Sequence, residues 1–113
     1  MTASLSLGRY DGGQGAVTAV GTAQVGATAL VNGSNQVTTG AGATAVVLPS
    51  LGAVGSPVLV ANLTATAALL FPPVGGGSIN GLTINTSVAV ALNKVAVCFA
   101  NINGLDYTVA VGA

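Results

Sequence analysis

Short apolar runs separated by turn-forming residues constrain the fold of this chain more than any other feature. Residues 88–92, 95–99 and 105–111 each place valine, leucine or aromatic side chains at every second position. Because side chains alternate between the two faces of a β-strand, each run predicts a strand. Asn93-Lys94 fits a two-residue turn, and Asn103-Gly104 supplies residues that tolerate positive φ. Residues 87–111 are therefore predicted to form a three-stranded antiparallel meander.

The first half of the chain carries the same type of signal. Its apolar runs cover residues 16–20, 27–31, 36–39, 44–48, 58–63 and 67–71. Glycine, proline and Asn-Gly pairs separate these runs at the spacing typical of all-β sandwiches and barrels. No helix is predicted over residues 16–48, because that half offers no run of ten residues free of glycine and of clusters of β-branched residues. No repeat of about 20 to 50 residues indicates a solenoid.

The sequence thus predicts an all-β protein with a single domain, an antiparallel β-sandwich or jelly-roll-like barrel at residues 16–113. A glycine-rich N-terminal arm at residues 1–15 precedes it. The interface candidates in this arm are Leu5, Leu7, Arg9 and Tyr10. Tyrosine and arginine are enriched where proteins contact partners, which favours a docking arm. A frayed terminus fits the same residues, and the sequence leaves both interpretations open.

Charged residues are unusually scarce. The chain has only Arg9, Asp11, Lys94 and Asp106, its net charge is zero, and 51% of its residues are hydrophobic. Ordinary soluble domains carry charge on roughly 25% of their residues, and an uncharged surface tends to associate. This composition indicates a protein partner, either a sister copy or another protein. Alternatively, serine, threonine, asparagine, glutamine and glycine alone keep the surface hydrated.

The side-chain inventory argues against catalysis. The chain has no histidine, and its only carboxylates are Asp11 and Asp106, so neither a metal cage nor a Ser-His-Asp arrangement can be assembled within one chain. We therefore expect no enzyme activity and no cofactor.

Cys98 is the single cysteine and is interpreted as a small buried hydrophobe. Residues 95–100 are apolar on both faces, and the small alanines of one face can lie beneath a neighbouring sheet or subunit.

Two further partner classes are not expected. Two basic residues do not supply the electrostatic footprint of nucleic-acid binding. No apolar run approaches the roughly 18 to 20 residues of a membrane-spanning helix. The first nine residues lack a basic region followed by a continuous apolar segment, so synthesis in the cytoplasm is expected.

Several segments, taken in order, resemble a known family. These are Ala27-Thr-Ala-Leu30, Asn35-Gln-Val-Thr-Thr39, Ala45-Val-Val-Leu-Pro49, Ser78-Ile-Asn-Gly81, Asn93-Lys94 and Tyr107. Together they are similar to a small β module of tailed-bacteriophage virion proteins, over residues 16–109. Such modules occur as stand-alone capsid decoration (cement) proteins and as parts of tail or fibre proteins. The chain carries no fibre shaft, collagen-like repeat or receptor-binding extension, which favours the stand-alone role.

The resemblance implies a structural virion protein that binds the outside of an assembled phage capsid and stabilises it. Its partners would be the major capsid protein and sister copies in a trimer or dimer, with no nucleic acid and no membrane. It would be made in the host cytoplasm and located on the capsid surface. The alternative is a tail- or fibre-associated recognition module that binds a host-surface carbohydrate or receptor. Sugar sites usually use aromatic platforms, and this chain has no tryptophan, two phenylalanines and two tyrosines.

Overall fold

The computed structural model describes residues 14–40, 44–50, 57–101 and 105–112. Within these ranges the chain forms nine β-strands and no helix, which confirms the all-β prediction. The strands are β1 (Gln14–Thr18), β2 (Thr28–Ala29), β3 (Gly33–Thr39), β4 (Ala45–Val47), β5 (Pro57–Asn62), β6 (Ala68–Phe71), β7 (Val88–Val90), β8 (Val95–Ala100) and β9 (Tyr107–Val111). Strand β1 begins at Gln14, so it includes the last two residues of the predicted arm, Gln14 and Gly15. The interface candidates Leu5, Leu7, Arg9 and Tyr10 lie outside the described residues.

The strands form two mixed sheets. The first sheet has five strands in the order β9-β8-β5-β3-β1, and the second has four in the order β2-β4-β6-β7. Strands β1, β3 and β5 run parallel to one another, as do β2, β4 and β6. The antiparallel pairs are β6 with β7, β5 with β8, and β8 with β9. The prediction of a purely antiparallel fold is therefore wrong.

The parallel pairing follows from the path of the chain. From β1 to β6, each strand lies in the opposite sheet from the one before it. Parallel neighbours need a long crossover connection, and here the intervening strand of the other sheet is part of that crossover. The number of residues between the paired positions of parallel neighbours varies: Thr28 pairs with Val46, whereas Gly33 pairs with Val58. The chain thus follows a coil-like path that leaves no regular repeat in the sequence.

Half of the predicted meander is present. Strands β8 and β9 form the expected antiparallel pair, but β7 pairs with β6 in the second sheet, so the predicted hairpin at Asn93-Lys94 is wrong. Asn93 does adopt the positive φ of a turn residue, at 60°. The turn is held by Asn62, which accepts a hydrogen bond from the Asn93 N–H at 2.7 Å and donates one to the Lys94 carbonyl at 3.0 Å. It carries the chain from one sheet to the other.

The core contains buried side chains from both sheets. One cluster of buried side chains draws on both sheets. Its members include, from the first sheet, Val17, Val37, Val58, Val60, Ala96, Cys98, Tyr107 and Val109, and, from the second, Val46, Ala68, Leu70 and Val90. Burying a valine or leucine contributes about 1.5–3 kcal/mol, so this shared cluster is the main source of stability. Side chains alternate between the two faces of β5 and β8, so every second side chain on these strands points away from the core.

Two buried asparagines fix the ends of the parallel strands. The Asn35 amide donates to the carbonyls of Val31 and Leu59, and its Oδ1 accepts from the Val31 N–H. Asn62 donates to the carbonyls of Thr66 and Val90 and accepts from Thr64. Neither side chain is exposed. Because a buried amide is costly unless its hydrogen bonds are made, these contacts hold the connecting segments to the sheets.

Candidate protein interface

The first sheet presents an apolar surface to solvent, here called the outer face. It consists of the side chains that alternate with the buried positions on three adjacent strands. They are Pro57, Leu59 and Ala61 on β5, Val95, Val97 and Phe99 on β8, and Thr108 and Ala110 on β9. The large side chains of β8 point outward, whereas Ala96, Cys98 and Ala100 face the core. The small residues thus pack in the core, and the large ones are partly exposed to solvent.

Strand register determines the relief of the outer face. Val97 lies between Leu59 on one side and Ala110 on the other, and Phe99 lies between Pro57 and Thr108. Phe99 is 45% exposed and Val95 is 44% exposed. On β8 the side chains Val97 and Phe99 are thus larger than their partners Ala110 and Thr108 on β9.

The outer face carries no charge. Of the charged residues that the structure describes, Lys94 lies in the turn before β8 and Asp106 lies before β9. The Asp106 Oδ1 accepts hydrogen bonds from the Ser78 backbone N–H at 3.1 Å and from the Ser78 hydroxyl at 2.9 Å. Apolar contact, rather than ion pairing, is what this face offers a partner.

The outer edge of β9 is occupied by the chain itself. The Tyr107 N–H donates to the Ser78 carbonyl at 2.8 Å, and the Asn80 N–H donates to the Tyr107 carbonyl at 2.9 Å. An edge strand with open backbone groups invites pairing with another chain. Because Ser78 and Asn80 take up these groups, the outer face is more available to a partner than this edge.

A second exposed apolar group lies in the segment between β6 and β7, here called the aliphatic loop (residues 74–85). Val74, Leu82 and Ile84 are 58%, 47% and 57% exposed. Backbone hydrogen bonds hold the loop, among them Asn85 N–H to the Gly77 carbonyl at 2.9 Å. Asn80, Gly81 and Asn85 have positive φ, which these residue types tolerate. The aliphatic side chains are thus displayed on an ordered segment.

One cleft in the described part of the chain offers few reactive groups. A cleft of about 340 Å³ is lined by Thr38, Thr39, Gly40, Leu63, Thr64, Ala65 and Thr66. It has no charged lining residue, and the Thr64 hydroxyl is already bonded to the Asn62 Oδ1 and the Thr66 carbonyl. No group of histidine, cysteine, aspartate or glutamate side chains suited to a metal occurs in the described parts of the chain.

Two buried titratable side chains are held in their neutral forms. Burial raises the pKa of the Cys98 thiol to about 12. Burial, and then the neighbouring Cys98, also raise the pKa of Tyr107, whose hydroxyl donates to the Pro49 carbonyl at 2.6 Å. A thiol that stays protonated is a poor nucleophile, so Cys98 serves the core, as the sequence predicted.

The outer face was not among the sequence-predicted interface residues. The sequence signal for the outer face was the run Val95–Ala100, which is apolar at every position. Such a run does not show which set of side chains faces outward.

Among the described residues, no helix has the length and apolar character needed to cross a membrane. No protein-family model, curated protein or solved structure matches the chain.

Proposed function

We propose that this chain is a structural virion protein that binds the outside of an assembled phage capsid and stabilises it. The observation that supports this proposal is the extent of uncharged, apolar surface on an ordered β-protein, in the outer face and the aliphatic loop. Exposed apolar patches of this kind mark contacts with other proteins. The resemblance of the sequence to decoration-protein modules supplies the identity of the partner, the major capsid protein.

The aliphatic loop is the proposed contact with the capsid. Leu82 and Ile84 project from a segment whose backbone is already hydrogen-bonded, so binding does not require the segment to be ordered first. An aliphatic side chain that enters a pocket of the partner contributes about 1.5–3 kcal/mol. The arm residues Leu5, Leu7, Arg9 and Tyr10 are proposed to extend this contact.

We also propose that the two sheets face each other as a β-sandwich. The shared cluster of buried side chains supports this arrangement, because residues of both sheets contribute to it. In such a sandwich the outer face of the first sheet points away from the second sheet.

Co-sedimentation with capsids tests the proposed function. The purified full chain is mixed with capsids assembled from the major capsid protein of the same phage, and the pelleted protein is quantified. We expect saturable, stoichiometric binding and a higher temperature of capsid disruption. A chain that remains in the supernatant at all concentrations would refute the proposal.

The contact surface is tested with loop variants. The double variant Leu82→Ser and Ile84→Ser removes both aliphatic side chains, whereas Thr83→Ser changes a neighbouring exposed residue with little loss of apolar area. We expect the double variant to lose at least about tenfold in capsid affinity, since 1.4 kcal/mol corresponds to one factor of ten. The Thr83→Ser variant should bind as the unmodified chain does. Equal binding by all three proteins would rule out the loop as the contact.

A further inference from the structure

We propose that Asn80-Gly81 is a site of spontaneous deamidation in the folded protein, and that this modification releases the edge of the first sheet. The Asn-Gly pair occurs twice in the described part of the chain, at Asn32-Gly33 and at Asn80-Gly81. A further pair, Asn103-Gly104, lies outside the described residues. The reaction concerns the free protein and does not require capsid binding.

The reaction needs only the two residues and water. The backbone nitrogen of Gly81 attacks the Cγ of Asn80, a C–N bond forms, and the side-chain amide leaves as ammonia with the proton from that nitrogen. Water then opens the resulting cyclic imide at one of its two carbonyl carbons, which gives aspartate or isoaspartate. Glycine suits the attacking position because it has no Cβ to hinder the approach.

The turn at Asn80-Gly81 leaves the attacking residue unhindered. The Leu82 N–H donates to the Ile79 carbonyl at 3.0 Å, so the hydrogen bond that closes the turn does not use the Gly81 N–H. Asn80 and Gly81 have φ values of 54° and 74°, as the central residues of a type I′ turn do. Both residues are exposed, and a Cβ built on Gly81 would meet nothing within 4 Å.

Two hydrogen bonds restrain the Asn80 side chain in the closed structure. Its Oδ1 accepts from the Val109 N–H at 2.8 Å, and its Nδ2 donates to the Val109 carbonyl at 3.0 Å. Val109 belongs to β9, which is an edge strand of the first sheet. Local opening of an exposed edge contact costs much less than global unfolding, so the side chain is released to react while the core stays folded.

The other described Asn-Gly pair is held by an interior strand. Gly33 is buried and is the first residue of β3, which lies between β5 and β1. The buried Asn35 amide donates to the carbonyls of Val31 and Gly33, on either side of Asn32. Reaction at Asn32 therefore requires an interior strand to open. We expect Asn80 to react faster, although the two dipeptides are chemically identical.

Deamidation removes the donor that bonds to the Val109 carbonyl. A carboxylate only accepts hydrogen bonds, so an aspartate at position 80 faces this carbonyl without a proton to donate. Isoaspartate inserts a methylene group into the backbone and changes the turn itself. Either product also places a negative charge in residues 74–85, which contain no charged residue. The edge of β9 at Val109 should therefore open after the reaction.

Peptide mapping by mass spectrometry tests the modification site. The full chain is kept in mildly alkaline buffer, either folded or unfolded in urea, and conversion of Asn80 and Asn32 is followed over time. In urea the two residues should convert at similar rates. In the folded protein Asn80 should convert at least about tenfold faster than Asn32, because only Asn80 is released by local opening of an edge. An intact Asn80 under conditions in which the unfolded chain reacts, or equal rates for Asn80 and Asn32 in the folded protein, would overturn the proposal.

Hydrogen exchange at the Val109 amide tests the structural consequence. Protein deamidated at Asn80 is separated by ion exchange and verified by peptide mapping, and its Val109 N–H should exchange at least about tenfold faster than in the unmodified protein. The matched control is Asn85→Asp, which adds the same charge at another exposed asparagine of the aliphatic loop and should leave this exchange unchanged. Unchanged exchange in the deamidated protein, or equal acceleration by Asn85→Asp, would show that loss of the Asn80 amide does not release the edge.

Discussion

The side-chain amide of Asn80 takes the place of a neighbouring strand at Val109. Its Oδ1 accepts a hydrogen bond from the Val109 N–H at 2.8 Å, and its Nδ2 donates one to the Val109 carbonyl at 3.0 Å. Asn80 reaches this position with a φ of 54°, which asparagine tolerates better than most residues. One side chain thus satisfies a backbone pair on the edge of the first sheet.

Replacing Asn80 by glycine should destabilise the protein and open this edge. Glycine keeps the positive φ but removes both hydrogen bonds, so we expect a loss of about 1–3 kcal/mol in the free energy of unfolding. The matched control is Asn85→Gly, at an exposed asparagine with a φ of 64°. Urea unfolding measures both variants. Equal stability of the two would show that the Asn80 amide contributes nothing to the fold.

The same edge depends on a close approach of the backbone at Gly77. A Cβ added there would collide with the Leu105 carbonyl oxygen and lie 2.9 Å from the Pro73 Cδ. Because the obstacle includes backbone, we expect Gly77→Ala to cost about 1–3 kcal/mol, as overpacking commonly does. Gly15→Ala, where a Cβ meets nothing within 4 Å, should be neutral or slightly stabilising. A Gly77→Ala protein with the unmodified urea midpoint would contradict this account.

Strand positions were predictable from this sequence because turn residues separate its apolar runs. Pro57 opens β5, as expected for a residue without an N–H at the first position of a strand. Asn93 and Gly26 have the positive φ that marks a turn. These signals are local, so they identify where a strand ends without reference to the rest of the chain.

Strand partners were not predictable, because pairing depends on distant residues. The alternation of Val88 and Val90 fits β8 as a neighbour as well as it fits β6, and the structure places β7 beside β6. Likewise, Val95–Ala100 could have buried either of its apolar faces. The choice of the small face is made by packing in the shared core, where Ala96 and Cys98 are fully buried. The candidate interface was missed for this reason.

Alkaline pH should destabilise the protein through its buried acids. The folded-state pKa of Cys98 is raised from 9.0 to about 12 by burial, so the folded protein retains a proton that the unfolded chain releases. Its contribution to stability is therefore complete below about pH 9 and is lost as the pH rises toward 12. The shift of Tyr107 acts in the same direction.

Urea unfolding at a series of pH values checks this dependence. The midpoint should be level near neutrality and fall at alkaline pH, and Cys98→Ala should make the fall shallower without abolishing it. Alkylation of Cys98 near pH 8 should require unfolding, since thiolate is the reactive form. A midpoint that does not change between about pH 8 and pH 11 would exclude this linkage.

The proposed capsid contact should be insensitive to salt. Apolar burial and backbone hydrogen bonds are hardly screened, whereas ion pairs between exposed groups weaken as ionic strength rises. Co-sedimentation at low and moderate salt should therefore give nearly equal occupancy. A steep loss of binding would instead implicate the few charged side chains, Arg9, Asp11, Lys94 and Asp106.

Deleting residues 2–12 should separate folding from attachment. The deletion ends before Gln14, where β1 begins, so the strands and the shared core remain, and urea unfolding should change little. Leu5, Leu7 and Tyr10 would each contribute about 1.5–3 kcal/mol if buried against the capsid or a sister copy. Ordering the arm costs about 1–2 kcal/mol per residue, so several contacts must act together. We therefore expect the truncated protein to stay folded and to bind capsids more weakly. Undiminished occupancy and thermal protection by this truncated protein would show that the arm has no part in docking.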